Sequence, residues 1–241
     1  MVLLHGFTQT ARLWGSFGDI LAHDHTLIGI DLPGHGGSAD VRADLPTTAG
    51  LVRDAVMAST GEGPCDLLGY SLGARVALHI VTGTDLDVGR LVLIGGTGGI
   101  EDAAARHIRR EADEATAAAL EASGDVESFI DRWVRSPMFS RLAQGADTEE
   151  RRRNGAAGLA SSLRLAGTGT QEPLWNQIPG LVPALLAVAG ADDTRFAAHA
   201  LRLAHTAPHG TASLIPGAGH AAHLAQPEVV GRLVAHWLAT T

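Results

Sequence analysis

The chain has 241 residues, 45% hydrophobic and 18% charged, with a formal net charge of −8. This size and balance describe one large globular domain, or a domain carrying an insertion, and exclude disordered and fibrous classes. The acidic balance argues against a nucleic-acid surface, and the lone Cys65 excludes an internal disulfide. All 18 basic residues are arginine, which with the abundance of Ala and Gly reflects coding composition rather than function. No Cys/His cluster has zinc-ligand spacing, so no metal is expected. No apolar run reaches the roughly 18 residues of a membrane span, and residues 1–4 are too short for a signal sequence. A cytoplasmic protein with no membrane or nucleic-acid partner is the expectation.

Along the chain, short apolar, β-branched runs alternate with longer stretches of helical period. The first run, 2–4, ends at His5-Gly6. A helix is predicted over 11–23, then a second run at 26–30 closing on Asp31-Leu-Pro-Gly. A helix over 48–59 leads to a run at 66–68 that enters Gly69. A helix over 72–82 follows, then a run at 90–94 ending in Gly95-Gly96. Further on, a run at 182–189 ends at Gly190, a helix covers 195–206, and a run at 212–215 ends at Pro216-Gly217. The last helix covers 227–239. Runs that are apolar throughout and spaced by helices describe a parallel sheet covered on both faces. Loops beyond the carboxyl ends of such strands are where these sheets carry their sites.

The alternation breaks between residues 97 and 172. This stretch is rich in Ala, Glu and Arg, with Phe129, Trp133, Met138 and Phe139 as apolar anchors. It reads as three or four helices inserted between two strands as a cap over the carboxyl edge, leaving 1–96 and 173–241 as the core. The alternative is a second packing layer with no part in the site.

Gly69-Tyr70-Ser71-Leu72-Gly73 fits G-x-S-x-G, with an apolar strand before it and a helix-forming stretch after it. A serine on so tight a strand-to-helix turn is held in strained backbone geometry that pushes its oxygen into the cleft. The amino-terminus of the following helix offers free N–H groups to developing negative charge. In this arrangement the partners follow in the order Ser, acid, His. Asp193 follows the 182–189 run, and His220 follows the last strand within Gly217-Ala-Gly-His. A buried acid on one imidazole nitrogen fixes the tautomer and leaves the other to take a proton from Ser71. Helix capping is the competing reading for Asp193, although Asp192 suits that role better. His5-Gly6-Phe7-Thr8, after the first strand, places the Phe7 N–H with that of Leu72 as an oxyanion hole. The loop from Asp31 to Ser38 reads as structural, and His35 as non-catalytic.

These motifs together resemble the α/β-hydrolase pattern over nearly the whole chain. Finer features are similar to one branch, the 2-succinyl-6-hydroxy-2,4-cyclohexadiene-1-carboxylate (SHCHC) synthases of menaquinone biosynthesis, the MenH family. They are Gly69-Tyr-Ser-Leu-Gly-Ala-Arg75, Arg132-Trp133 with Ser136-Pro137-Met-Phe139, and Gly158-Leu-Ala-Ser-Ser-Leu-Arg164. Gly167-Thr-Gly-Thr-Gln171 with Leu174-Trp175, and Gly190-Ala-Asp-Asp193-Thr-Arg195-Phe196, complete the set. The resemblance implies an α/β-hydrolase fold whose first strand here is the third of the usual pattern. The two amino-terminal strands are therefore expected to be missing, through loss or a start placed downstream, leaving residues 2–4 nearer a sheet edge. Val134 stands where an aromatic residue often follows the cap tryptophan, and Ala74 where Gly is common.

The resemblance implies a cofactor-free lyase that eliminates pyruvate from 2-succinyl-5-enolpyruvyl-6-hydroxy-3-cyclohexene-1-carboxylate. Ser71, activated by His220 and Asp193, acts as general base, with Phe7 and Leu72 receiving the enolate charge. It assigns Tyr70, Arg75, Arg109, Trp133 and Arg151 to a small substrate bearing several carboxylates. Arg75 lies one helical turn beyond Ser71, so it can share the face that looks into the pocket, and arginine binds carboxylates bidentately. Among Arg151, Arg152 and Arg153, counting back from Ala157-Gly-Leu-Ala favours Arg151. Each arginine can instead lie on a solvated helix face, and Trp133 can anchor the cap rather than touch the ring. A hydrolase of esters or C–C bonds using the same three residues is the rival reading. A binding module without the chemistry is the third, against which the complete set of motif residues weighs.

Overall fold

The strands take their place because their side chains alternate between two apolar layers. In the computed structural model, which describes residues 1–61, 63–139, 141–142 and 148–241, six strands form one sheet. They are β1 (Val2–Leu4), β2 (Ile28–Ile30), β3 (Cys65–Tyr70), β4 (Val88–Ile94), β5 (Ala184–Gly190) and β6 (Gly210–Ile215). Their order is β2-β1-β3-β4-β5-β6, and every neighbouring pair is parallel. On one face Val2, Leu4, Leu91, Leu93, Leu185 and Ala187 pack with α2 (Leu45–Thr60), α3 (Leu72–Gly83) and α8 (Thr194–Thr206). On the other, Leu3, Val92, Ile94, Leu186 and Val188 pack with α1 (Gly15–Ala22) and α10 (Pro227–Thr240). Successive residues facing opposite layers is the two-residue period of a strand, and burial on both sides explains the unbroken apolar runs. The α/β architecture expected from the sequence is the one observed.

Several boundaries differ from the sequence reading for local reasons. The first helix starts at Gly15 rather than 11: residues 11–14 form a turn, with the Leu13 N–H on the Thr10 carbonyl at 3.2 Å and the Ala11 N–H on the Asp31 carboxylate at 2.7 Å. The fifth strand starts at Ala184: Pro183 has no N–H for the ladder, and Val182 is exposed. β1 is one strand in from the edge, since the three-residue β2 pairs with it on the outer side.

Between β4 and β5 stand α4 (Ala103–Ser123), α5 (Val126–Val134), α6 (Thr148–Arg151) and α7 (Ala156–Ala166). Asp102 and Asp125 cap α4 and α5 by accepting the N–H of Ala105 and Ser128. Gly124, at φ 62, ends α4 in the left-handed conformation that glycine adopts without steric cost. The two ends of this segment are tied together: Leu174 N–H bonds the Gly98 carbonyl at 2.7 Å, and Trp175 Nε1 bonds that of Gly99 at 2.9 Å. The Gln171 to Trp175 motif therefore closes the base of the inserted helices. Their small apolar clusters, Leu120, Phe129, Ile130 and Leu159 in one and Ala117, Ala160 and Leu163 in the other, both pack against Phe7 of the loop after β1. A short helix, α9 (Ala222–Ala225), follows β6 and precedes α10.

Candidate active site

Ser71 occupies the turn between β3 and α3 at φ 52 and ψ −102, a conformation that costs a non-glycine residue energy. The flanking glycines permit it. A Cβ on Gly69 would collide with the Gly73 carbonyl, and one on Gly73 would collide with the carbonyl of Leu4. The Gly73 N–H bonds the His5 carbonyl at 3.0 Å, which sets β1 close beneath the turn. Close backbone approach, not flexibility, is what both positions need.

The loops after β5 and β6 bring the other two groups to the serine. His220 Nε2 lies 2.9 Å from Ser71 Oγ, and His220 Nδ1 lies 3.0 Å from Asp193 Oδ2. His220 is buried, with the Phe196 ring 4.3 Å and the Tyr70 ring 5.5 Å away between centroids. Asp193 also caps α8, its Oδ1 accepting the Phe196 N–H at 3.3 Å. Capping was the expected role of Asp192, which instead pairs with Arg141 at 2.8 Å. One carboxylate oxygen of Asp193 thus serves the helix and the other the imidazole. Burial pushes the Asp193 carboxyl up, but the hydrogen bond and charge of His220 outweigh it and leave it below the ordinary range. An ionised Asp193 holds the Nδ1 proton in place and leaves Nε2 to accept one from the serine.

A cavity of about 70 Å³ opens beside Ser71, lined by Phe7, Leu72, Arg75, Arg109, Trp133, Arg195 and His220 among others. Among the described residues, no carbonyl or side chain accepts the Phe7 or Leu72 N–H. Two amides without an acceptor beside a serine oxygen suit a developing negative charge. Arg75 is buried, and its Nη1 donates to the Ala166 carbonyl at 2.7 Å. Burial, reinforced by the charge of Arg109, lowers its pKa to about 10. Arg109 Nε donates to Asp113 Oδ1 at 2.9 Å, one helical turn along α4, and Asp113 is itself buried. Trp133 both lines the cavity and packs against Phe7, 5.0 Å between ring centroids.

Two assigned residues lie elsewhere. Tyr70 is buried against His220 and His223 and is absent from the described cavity wall. Arg151 is also absent from that wall and buried, donating from Nη1 to Thr8 Oγ1 at 2.6 Å. None of the arginine triplet is on the described cavity wall: Arg152 pairs with Asp131, and Arg153 with Glu150. The structure also adds residues that the sequence reading did not single out. Arg195 lines the cavity and forms no salt bridge among the described residues. Its place two residues past Asp193, in the first turn of α8, was the available signal. Asp113 had one too, four residues past Arg109. Thr8 and Asn154 had none.

Among the described residues, no group of three His, Cys, Asp or Glu side chains is placed to hold a metal ion, and no helix is long and apolar enough to cross a membrane.

A turn-held serine, a relayed histidine and acid, and free amides on the carboxyl edge of a parallel sheet define a class. The model of the alpha/beta hydrolase family matches residues 1–233, and the chain belongs to that family. Within it, the 2-succinyl-6-hydroxy-2,4-cyclohexadiene-1-carboxylate synthase of Klebsiella pneumoniae is 32% identical over 244 residues, covering 100% of this chain and 94% of the relative. The structure of MenH from S. aureus superposes with a TM-score of 0.92 at 27% identity, over 99% of this chain and 92% of that one. An esterase from Exiguobacterium antarcticum superposes at 0.81 with 17% identity, over 99% of this chain and 91% of that one, which is a likeness of fold alone.

Proposed function

We propose that this enzyme is a MenH-type lyase that eliminates pyruvate from 2-succinyl-5-enolpyruvyl-6-hydroxy-3-cyclohexene-1-carboxylate, forming SHCHC in menaquinone biosynthesis. The observation that carries the reading is the Ser71–His220–Asp193 relay opening onto a cavity walled by three arginines, in a chain aligned end to end with synthases of that name. A neutral ester needs no such cations; a substrate with several carboxylates does. The helical segment 97–172 acts as the cap, supplying Arg109 and Trp133, while the core supplies Ser71, Leu72, Arg75 and Arg195.

In this reading Ser71 Oγ removes the ring proton beside the succinyl ketone as its own proton passes to His220 Nε2. Asp193 stabilises the imidazolium that results. The electron pair of the broken C–H bond becomes an enolate, whose oxygen accepts from the Phe7 and Leu72 amides. Collapse of the enolate re-forms the ketone, makes the ring C2=C3 bond, shifts the C3=C4 double bond to C4=C5 and breaks the C5–O bond to the enolpyruvyl group. The leaving enolate takes a proton and tautomerises to pyruvate. The chain itself supplies proton acceptor and anion site, so the reaction is cofactor-free.

The test follows pyruvate release and substrate absorbance for the wild type and Arg75→Ala. Release by the wild type, with kcat/KM lowered about 100-fold or more in Arg75→Ala from lost bidentate carboxylate contacts, is the expected result. Turnover of p-nitrophenyl esters instead, unaffected by Arg75→Ala, would transfer the assignment to a serine hydrolase.

A further inference from the structure

Thr8 is, besides Ser71, the other non-glycine residue described with a positive φ, at 69°. It directly follows Phe7, and it is fully buried. A β-branched side chain in that region is a costly state that persists only where the surroundings enforce it. Here three side chains from two distant segments do so, one for each polar group of the residue. The Thr8 N–H donates to His35 Nε2 at 3.3 Å, from the loop after β2. Its carbonyl accepts from Asn154 Nδ2 at 2.8 Å, and its hydroxyl oxygen accepts from Arg151 Nη1 at 2.6 Å.

The last two donors belong to the inserted segment, Arg151 ending α6 and Asn154 standing between α6 and α7, 143 and 146 residues away along the chain. Asn154 is buried and is held from both sides: its Oδ1 accepts the Gly36 N–H at 2.9 Å, and its Nδ2 also donates to the Arg151 carbonyl at 3.0 Å. Glu150 reinforces the contact by accepting from Thr10 Oγ1 at 2.8 Å. The segment after α5 is therefore bolted onto the loop that carries Phe7, by groups that contribute little to the wall of the cavity.

We infer that Arg151 and Asn154 form a latch that keeps Thr8 left-handed and so aims the Phe7 N–H into the site. Rotation of Thr8 to negative φ swings the Phe7–Thr8 peptide and displaces Phe7 itself. The latch makes the anion site depend on the inserted helices being seated, linking the layer that selects substrate to the layer that performs the reaction. Arg151 and Asn154 are positioning residues in this scheme. It rests on the reading that the Phe7 amide receives developing charge, a role shared by the lyase and hydrolase readings.

The experiment compares wild type, Asn154→Ala, Thr8→Gly and the double variant. The readouts are pyruvate release from the enolpyruvyl substrate, p-nitrophenyl acetate turnover, and the amide resonances of Phe7 and Thr8 in 15N-labelled protein. Asn154→Ala is expected to lower kcat about 10- to 100-fold on whichever substrate is turned over, with KM within about threefold, as for a catalytic group displaced by about an ångström. Its Phe7 and Thr8 resonances move while those of β5 stay. In the Thr8→Gly background the effect of Asn154→Ala shrinks to about threefold or less, because glycine holds positive φ without enforcement. Unchanged kcat and resonances in Asn154→Ala overturn the latch, as does a loss seen only in KM. An equal loss in both backgrounds also overturns it, since that is the mark of general destabilisation. Ester turnover without pyruvate release, combined with the predicted kcat pattern, sinks the lyase reading and leaves the latch standing.

Discussion

In β4, residues Leu91, Val92, Leu93 and Ile94 are all fully buried, whereas α4, with 21 residues, buries only Asp113, Ala117 and Leu120. The sheet is held by two large apolar layers. The inserted helices are held by small clusters and by charge pairs, among them Arg164 with Glu114 and Glu121, and Arg106 with Glu172. Exposed pairs of this kind are worth little individually, so the inserted layer is the softer one. The division matches the chemistry. Ser71, His220 and Asp193 stand on short turns leaving buried strands, where packing over-determines their positions. Arg109 and Trp133 stand on the softer layer, where side chains can adapt to a substrate. Under the proposed function, precision falls to one region and selection to the other.

That comparison breaks most visibly at the serine. Ser71→Ala or His220→Ala is expected to lower kcat by about 10²–10⁴-fold, the range of a lost general base, with the melting midpoint nearly unchanged. A midpoint that falls with the activity would mean these residues hold the fold. The converse belongs to the sheet: Leu93→Ala, in the centre of the buried layer, should cost about 2–5 kcal/mol of stability in urea titrations. Its KM should stay at the wild-type value. A large shift in KM would show that the sheet and the selecting layer are not separable.

The sheet side also carries the acid sensitivity. His5, His35 and His223 are buried, and burial lowers their pKa values from 6.5 to about 4, 3 and 3, with the Arg151 charge assisting at His5 and His223 and the His5 charge at His35. His5 and His35 each accept a backbone N–H, from Leu32 and Thr8, which a protonated ring cannot do. Because the folded values are depressed, the unfolded chain binds protons that the folded chain refuses as pH falls below 6.5. Stability is therefore full above that value and declines toward pH 4, by up to about 1.4 kcal/mol per unit for each histidine. Urea midpoints at pH 7, 6 and 5 check this; a flat series would mean the histidines are hydrated. His35 also bears on the Phe7 loop, but it stays neutral in the folded protein down to about pH 3, so its titration is not expected to lower kcat over the same range.

Much of this was legible from the order of residues. The central strands show as short apolar runs because β1 and the carboxyl-terminal halves of β3, β4 and β5 are buried on both faces, whereas the edge strands β2 and β6 are only partly buried and read less clearly. The serine turn shows because two glycines are forced by backbone contacts that no other residue tolerates. Asp193 and His220 show because each follows a strand at the same sheet edge. The arginines were harder to read. Arg75 is tied to the serine by helical spacing, but nothing in Arg151-Arg152-Arg153 says which side chain turns inward, since that depends on how a four-residue helix sits against a loop 143 residues earlier. Arg195 looked like part of a motif until the packing of α8 put it on the cavity wall.

Local sequence, then, determined the elements, their order and the three groups of the relay, because strand burial, turn geometry and helix spacing are properties of neighbouring residues. Tertiary structure alone decided which arginines face the cavity, that Asp193 rather than Asp192 caps α8, and that Thr8 stands in a left-handed conformation. Those outcomes depend on contacts between segments far apart in the chain, whose energies come from a partner's position and leave no periodic trace in the sequence.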